Sequence, residues 1–232
     1  MAVSASSPCR DSHWDIQDIG VTLPGIFERS TVALKEADPR QIFSVIRELD
    51  GFLLKLDTFQ DNLPPQETMR QLCDIQSFST VYSWLDEDRT ISQVFDYSDW
   101  RFANAFSACL MYRALALSSL VFILKACASS GLPLSLDDLG RDLEVAMLDL
   151  CRIVPALIGD DPSFRKSCHG FAFGTVANTT LHAVGMIAVS PVLRCVIVYF
   201  EKNHRRKEFA WCMKLIAKVN EAGVAYAGST LW

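Results

Sequence analysis

The stretch Trp100–Ser129 reads WRFANAFSACLMYRALALSSLVFILKACAS, and it decides the fold class. Trp100, Ala103, Phe106, Leu110, Ala114, Leu117, Val121 and Leu124 recur at spacings of three and four, the period of one face of an α-helix. Apolar residues occupy the other faces too, so the helix is read as central and widely buried. Ser98 or Asp99 can cap its start by accepting a hydrogen bond from a free amide of the first turn. Gly131 and Pro133 stop it.

The same period extends on both sides. Pro24 opens a helix through Ile26, Phe27 and Leu34, since proline in a first turn costs no hydrogen bond. Asp38-Pro39 breaks it. Ile42, Ile46, Leu49, Leu53, Leu56 and Phe59 form the next stripe, ended by Asn62-Leu63-Pro64-Pro65. After the central helix, Ser135-Leu136-Asp137-Asp138 resembles a capping box with Asp in place of Glu. Leu136, Leu139, Leu143, Met147, Leu150, Val154 and Leu157 follow as a stripe, and Pro155 is expected to end or kink it. Residues 170–190 are read as a helix of small side chains, and Pro191 as the start of another through Cys195, Val198 and Tyr199. Lys202 to Lys207 is a basic connection. A last helix covers about 207–222, with Phe209, Cys212, Leu215, Ile216 and Val219 inward and Gly223 closing it. Residues 66–98 show an apolar patch, Phe78, Tyr82, Trp84 and Leu85, beside an acidic turn, Asp86-Glu87-Asp88. There is no internal repeat, hairpin dipeptide or strand alternation of useful length. The expectation is an all-α fold with essentially no sheet: a single antiparallel helical array over residues 13–232, preceded by a polar arm, 1–12.

Half of the 232 residues are hydrophobic and 21% are charged, a balance that supports a sizeable core and opposes disorder. The net charge is −5, whereas a stand-alone nucleic-acid binder is usually basic. Eight cysteines are scattered without a CxxC pair. Cys109, Cys127 and Cys195 sit in apolar helical stretches, as reduced thiols do when they act as small hydrophobes. The N-terminus lacks a charged segment followed by an apolar run, so no signal peptide is expected. Phe171–Leu193 carries no charged side chain and is long enough to cross a bilayer. It also contains Asn178, Thr179, Thr180, His182 and Pro191, which make a span marginal. The run Ala114–Leu124 is more apolar but too short. Buried core helices are therefore the expectation for both, and a membrane segment the alternative.

Little in the chain has the spacing that chemistry requires. Structural zinc needs closely paired Cys and His ligands, and only Cys168-His169 are neighbours, pointing about a hundred degrees apart on a helix. His13, His182 and His204 lie in unrelated segments, so no metal site is expected. Neither a GxSxG elbow nor an HExxH helix occurs. Gly170-Phe171-Ala172-Phe173-Gly174 lacks the phosphate-cradling spacing. Asn178, Thr179 and His182 are polar residues inside an uncharged helix. They either satisfy one another and the backbone in the interior, or serve as polar anchors of an apolar ligand pocket. A catalytic base at His182 is the remaining reading. The basic run Lys202-Asn203-His204-Arg205-Arg206-Lys207 is read as a solvated turn rather than a nuclear-localisation signal.

Two regions carry a likeness. Trp14-Asp15-Ile16-Gln17 with Leu23-Pro24-Gly25-Ile26-Phe27-Glu28, and Pro191-Val192-Leu193-Arg194-Cys195, Tyr199-Phe200, Lys207-Glu208-Phe209-Ala210-Trp211-Cys212 and Gly223, joined by Phe106 and Leu110-Met111-Tyr112-Arg113-Ala114, resemble the C-terminal helical regulatory domain of fungal zinc-cluster transcription factors. The likeness spans roughly residues 14–228. The family's N-terminal six-cysteine DNA-binding unit is missing. The resemblance implies a regulatory domain without its own DNA-binding module, in the nucleus or cytoplasm and in fungal secondary metabolism. It acts through a protein partner, such as a full-length regulator, and takes a small apolar ligand near Asn178, Thr179 and His182. No cofactor, sequence-specific DNA contact or membrane span is implied. No catalytic residues carry over, which weighs against an enzyme. The alternatives are a cofactor-independent enzyme acting on a hydrophobic metabolite in a helical pocket, and a membrane-associated protein.

Overall fold

A computed structural model describes residues 12–63, 71–74, 90–97, 100–127, 136–158 and 177–221. In chain order these form α1 (Ser12–Gly20), α2 (Leu23–Glu36), α3 (Pro39–Asp61), β1 (Gln71–Asp74), β2 (Gln93–Asp96), α4 (Trp100–Ala126), α5 (Leu136–Ile158), α6 (Ala177–Lys202) and α7 (Arg206–Glu221). Among the described residues the fold is all-α apart from one two-stranded antiparallel sheet.

The expected central helix is α4, and its double-sided apolar pattern has a structural cause. Ala103, Phe106, Leu110, Ala114 and Leu117 enter one core with α5, α6, α7 and the strands. Ala105, Cys109, Ala116, Leu120 and Ile123 enter a second core with α1, α2 and α3. Leu124, which the period places on the first stripe, turns to the second core. Polar ties fix the second layer: the Tyr112 hydroxyl donates to Gln17 Oε1 at 2.9 Å, and Arg113 pairs with Asp57 and donates to Gln60 Oε1 at 3.2 Å. A Cβ on Gly20 would stand 2.3 Å from the Tyr112 ring. Glycine is what lets the end of α1 lie against α4.

The helix ends follow the sequence signals. Asp38 Oδ1 accepts from the Arg40 amide at 2.9 Å, and Pro39 occupies a first-turn position where no amide partner is lost. At the end of α6, the Arg205 amide reaches the Phe200 carbonyl at 2.9 Å and the His204 amide the Glu201 carbonyl at 3.2 Å. This pair of bonds is a Schellman motif. It places His204 at φ 56°, and Ala37 after α2 is left-handed too, at φ 52°. Both positions favour glycine. Ala37→Gly and His204→Gly are each expected to raise stability by about 1 kcal/mol. For a chain of this length that is a rise of about 2–4 °C in melting temperature. A fall in melting temperature for both variants would refute the argument.

Several sequence expectations are corrected. Ser12–Gly20 is helical, with Ile16 fully buried, a stretch for which the sequence predicted no element. The strands pair Leu72 with Phe95 and Cys73 with Val94. They escaped the period-two test because each is only four residues long and because the neighbours Val94 and Phe95 are both buried. The edges of Phe95 and Phe106 meet with ring centroids 6.2 Å apart, which docks the sheet on α4. Pro191, expected to open a helix, lies inside α6, and Pro155, expected to end or kink its helix, lies inside α5. An interior proline costs about 3 kcal/mol. Val189, Val192, Leu193 and Val196 around Pro191 are all buried at roughly 1.5–3 kcal/mol each, enough to hold the helix through it. Read over Phe102–Ala126 rather than Ala114–Leu124, α4 is long and apolar enough to cross a bilayer, and half of its most apolar stretch is buried against the rest of the chain.

Candidate functional site

Helices α4, α5 and α6 meet along an open groove of about 890 Å³. Met111, Leu115, Ser118, Phe122 and Lys125 lie on one face of α4 at steps of three and four. Gly140, Leu143, Glu144 and Met147 do the same on α5, and Pro191, Arg194, Cys195, Val198 and Lys202 on α6. Leu143 and Met147 are buried and form the floor, whereas Phe122 is 64% exposed and Val198 41%. A Cβ on Gly140 would meet no atom within 4 Å, so the floor at that point is open space.

The direction of the walls follows from contacts. Met147 Sδ lies 4.0 Å from Cys195 Sγ, while Glu144, earlier on α5, pairs with Arg205, later in the chain than Cys195. Helices α5 and α6 are therefore antiparallel. The short connection from α4 to α5 makes that pair antiparallel as well. Hence α4 and α6 run the same way, and Lys125 and Lys202, in their last turns, stand at the same end of the groove. Met111, Met147, Pro191 and Cys195 occupy the middle and the other end.

Charge is uneven along this groove. Its lining carries Lys125, Arg194 and Lys202 against one carboxylate, Glu144, in a chain of net charge −5. Glu144 is already engaged by Arg205, which also donates to Glu208 through Nη2 at 2.6 Å. The Arg205 hydrogen bonds hold the Glu208 carboxyl below its usual range. The expected basic turn is thus a helix-to-helix turn whose arginine staples α7 to α5.

The thiol in the groove is not activated. Burial pushes Cys195 up to about 11, so it is protonated at neutral pH and a weak nucleophile. Burial and a hydrogen bond to Cys212 push Cys151 up as well. Among the described residues, Cys73, Cys109, Cys127, Cys151, Cys195 and Cys212 are not joined in disulfides. Among the described residues no group of three or more His, Cys, Asp or Glu side chains could hold a metal ion.

Asn178, Thr179 and His182 fall in the first turns of α6, and their side chains lie outside the described residues. Cys168-His169, Ser98 and Asp99 also lie outside them. Among the described residues, the helix that carries the three polar residues lines the groove with Pro191, Arg194, Cys195, Val198, Tyr199 and Lys202. Sequence reasoning missed Lys125, Gly140 and Lys202. The usable signal was a lysine closing each of two apolar helices, one on either side of a helix that opens near a glycine. Comparison with family models, curated proteins and solved structures finds no match.

Proposed function

We propose that this chain is a ligand-binding helical regulatory domain whose guest, a small and mostly apolar molecule, sits in the α4–α5–α6 groove. The observation that carries the reading is the groove itself. It has the size of a drug-sized ligand site, with a mostly apolar surface and a minority of polar and charged groups. The likeness to the regulatory domain of fungal zinc-cluster factors supports the same reading and adds a protein partner through which the bound state is passed on. The test uses a neutral fluorophore, N-phenyl-1-naphthylamine, with wild type and Gly140→Trp. The indole grows from the open floor and fills the groove, and replacing a helical glycine does not weaken α5. Saturable binding by wild type, lost at least tenfold in a Gly140→Trp protein of unchanged circular dichroism, is the expected result. Equal binding by the two proteins overturns the proposal.

The same reading makes the chain a poor DNA binder by itself. Sequence-specific readout requires side chains held against base edges, and affinity requires counterion release by a basic surface. The net charge of −5 works against the second. Only weak, sequence-indifferent retention of duplex DNA is expected, disappearing at physiological salt. A sequence-specific gel shift that survives such salt sinks this part of the proposal.

A further inference from the structure

We infer that the guest of the groove is a single-chain amphiphile with an anionic head, a carboxylate at one end of a linear apolar body. This rests on the proposal that the groove binds a ligand and adds the ligand's polarity and direction. Three observations converge on it. The α4 wall from Met111 to Lys125 extends about 20 Å at 1.5 Å per residue, so the space is long rather than round. Away from the lysines the lining is mostly thioether, thiol and hydrocarbon, Met111, Leu115, Met147 and Cys195, with Ser118 and Arg194 among them. Lys125 and Lys202 are exposed at one end, on parallel helices, and neither is paired with a carboxylate among the described residues.

The neighbouring groups sharpen the sign. Glu144, the one carboxylate in the lining, is ion-paired to Arg205, which it shares with Glu208, so one negative charge remains at that wall against the three cations of the lining. Asp138, near the start of α5, is paired with Arg141. Arg194 adds a further positive charge along the α6 wall. An anionic head at the lysine end meets two mobile ammonium groups. Its apolar tail runs towards Met111 and Met147, where the polarizable thioethers adapt to a flexible chain. A cationic head would meet like charge there, and a neutral one would leave both lysines without a counter-charge.

The experiment compares dodecanoate with dodecanol, below micelle-forming concentrations, as competitors of N-phenyl-1-naphthylamine. It uses wild type and the double variant Lys125→Met, Lys202→Met. Each exposed pair contributes modestly, so the carboxylate is expected to bind wild type about tenfold more tightly than the alcohol. The preference should shrink in high salt and vanish in the double variant while dodecanol binding is kept. Equal displacement by acid and alcohol in wild type overturns the anionic head and leaves the apolar groove standing. A preference that persists in the double variant overturns the assignment to these lysines. Failure of wild type to bind even the neutral fluorophore overturns the groove as a ligand site, and this inference with it.

Discussion

Leu110→Ala and Leu120→Ala are each expected to destabilise the protein by about 2–5 kcal/mol, and in both variants the whole chain should still melt in one step. The cost is that of a buried leucine truncation, transfer plus cavity; Leu110 and Leu120 are 2% exposed. Leu110 belongs to the core with α5, α6, α7 and the sheet, Leu120 to the core with α1, α2 and α3. A molecule with two separable cores would respond with two transitions, only one of which moved. Here both cores take a wall from α4. Loss of either layer exposes a helix that is apolar on two sides, and the remaining layer cannot hide it. Thermal denaturation followed by circular dichroism and by tryptophan fluorescence reads the difference. Separate midpoints for the two signals would show that α4 does not couple the layers.

What the sequence makes legible follows the same division. Helices with a long apolar stripe were readable because a repeating period averages over many residues. Asp38-Pro39 set the start of α3, and the bounds of α4 and α7 fell within about three residues of expectation. Elements set by tertiary contact were not readable. Helix α1 has nine residues, too few for a period, and is ordered by Ile16 entering the core and by Gly20 lying against Tyr112. Pro191 misled because it sits where burial on both sides outweighs a lost hydrogen bond. The groove was less legible. The expectation put the small-residue stretch 170–190 beside a pocket, and its side chains up to residue 188 lie outside the described residues; the described lining of α6, from Pro191 to Lys202, was not expected. A groove depends on how three helices are rotated about their axes, which no single helix's sequence records.

Trp211→Ala is expected to cost about 3–5 kcal/mol, the range for removing a buried aromatic, and Trp211→Phe far less than its lost volume suggests. Trp211 is among the largest fully buried side chains and packs with α4, α5 and α6 in the first core. The Trp211-Cys212 pair that carried part of the family likeness is therefore a core element, since Cys212 is fully buried too. The indole Nε1–H is buried without a hydrogen-bond acceptor among the described residues. A buried donor with no partner carries a desolvation penalty of roughly 1–3 kcal/mol. Phenylalanine removes that donor, and the relief offsets part of the smaller ring's lost burial. Histidine at the same position keeps a ring and restores a polar group, so Trp211→His should fall close to alanine. Urea denaturation midpoints of the three variants give the order Phe, then His and Ala together well below it. If Trp211→Phe proves as costly as Trp211→Ala, the indole N–H is satisfied in solution and its role is one of hydrogen bonding as well as packing.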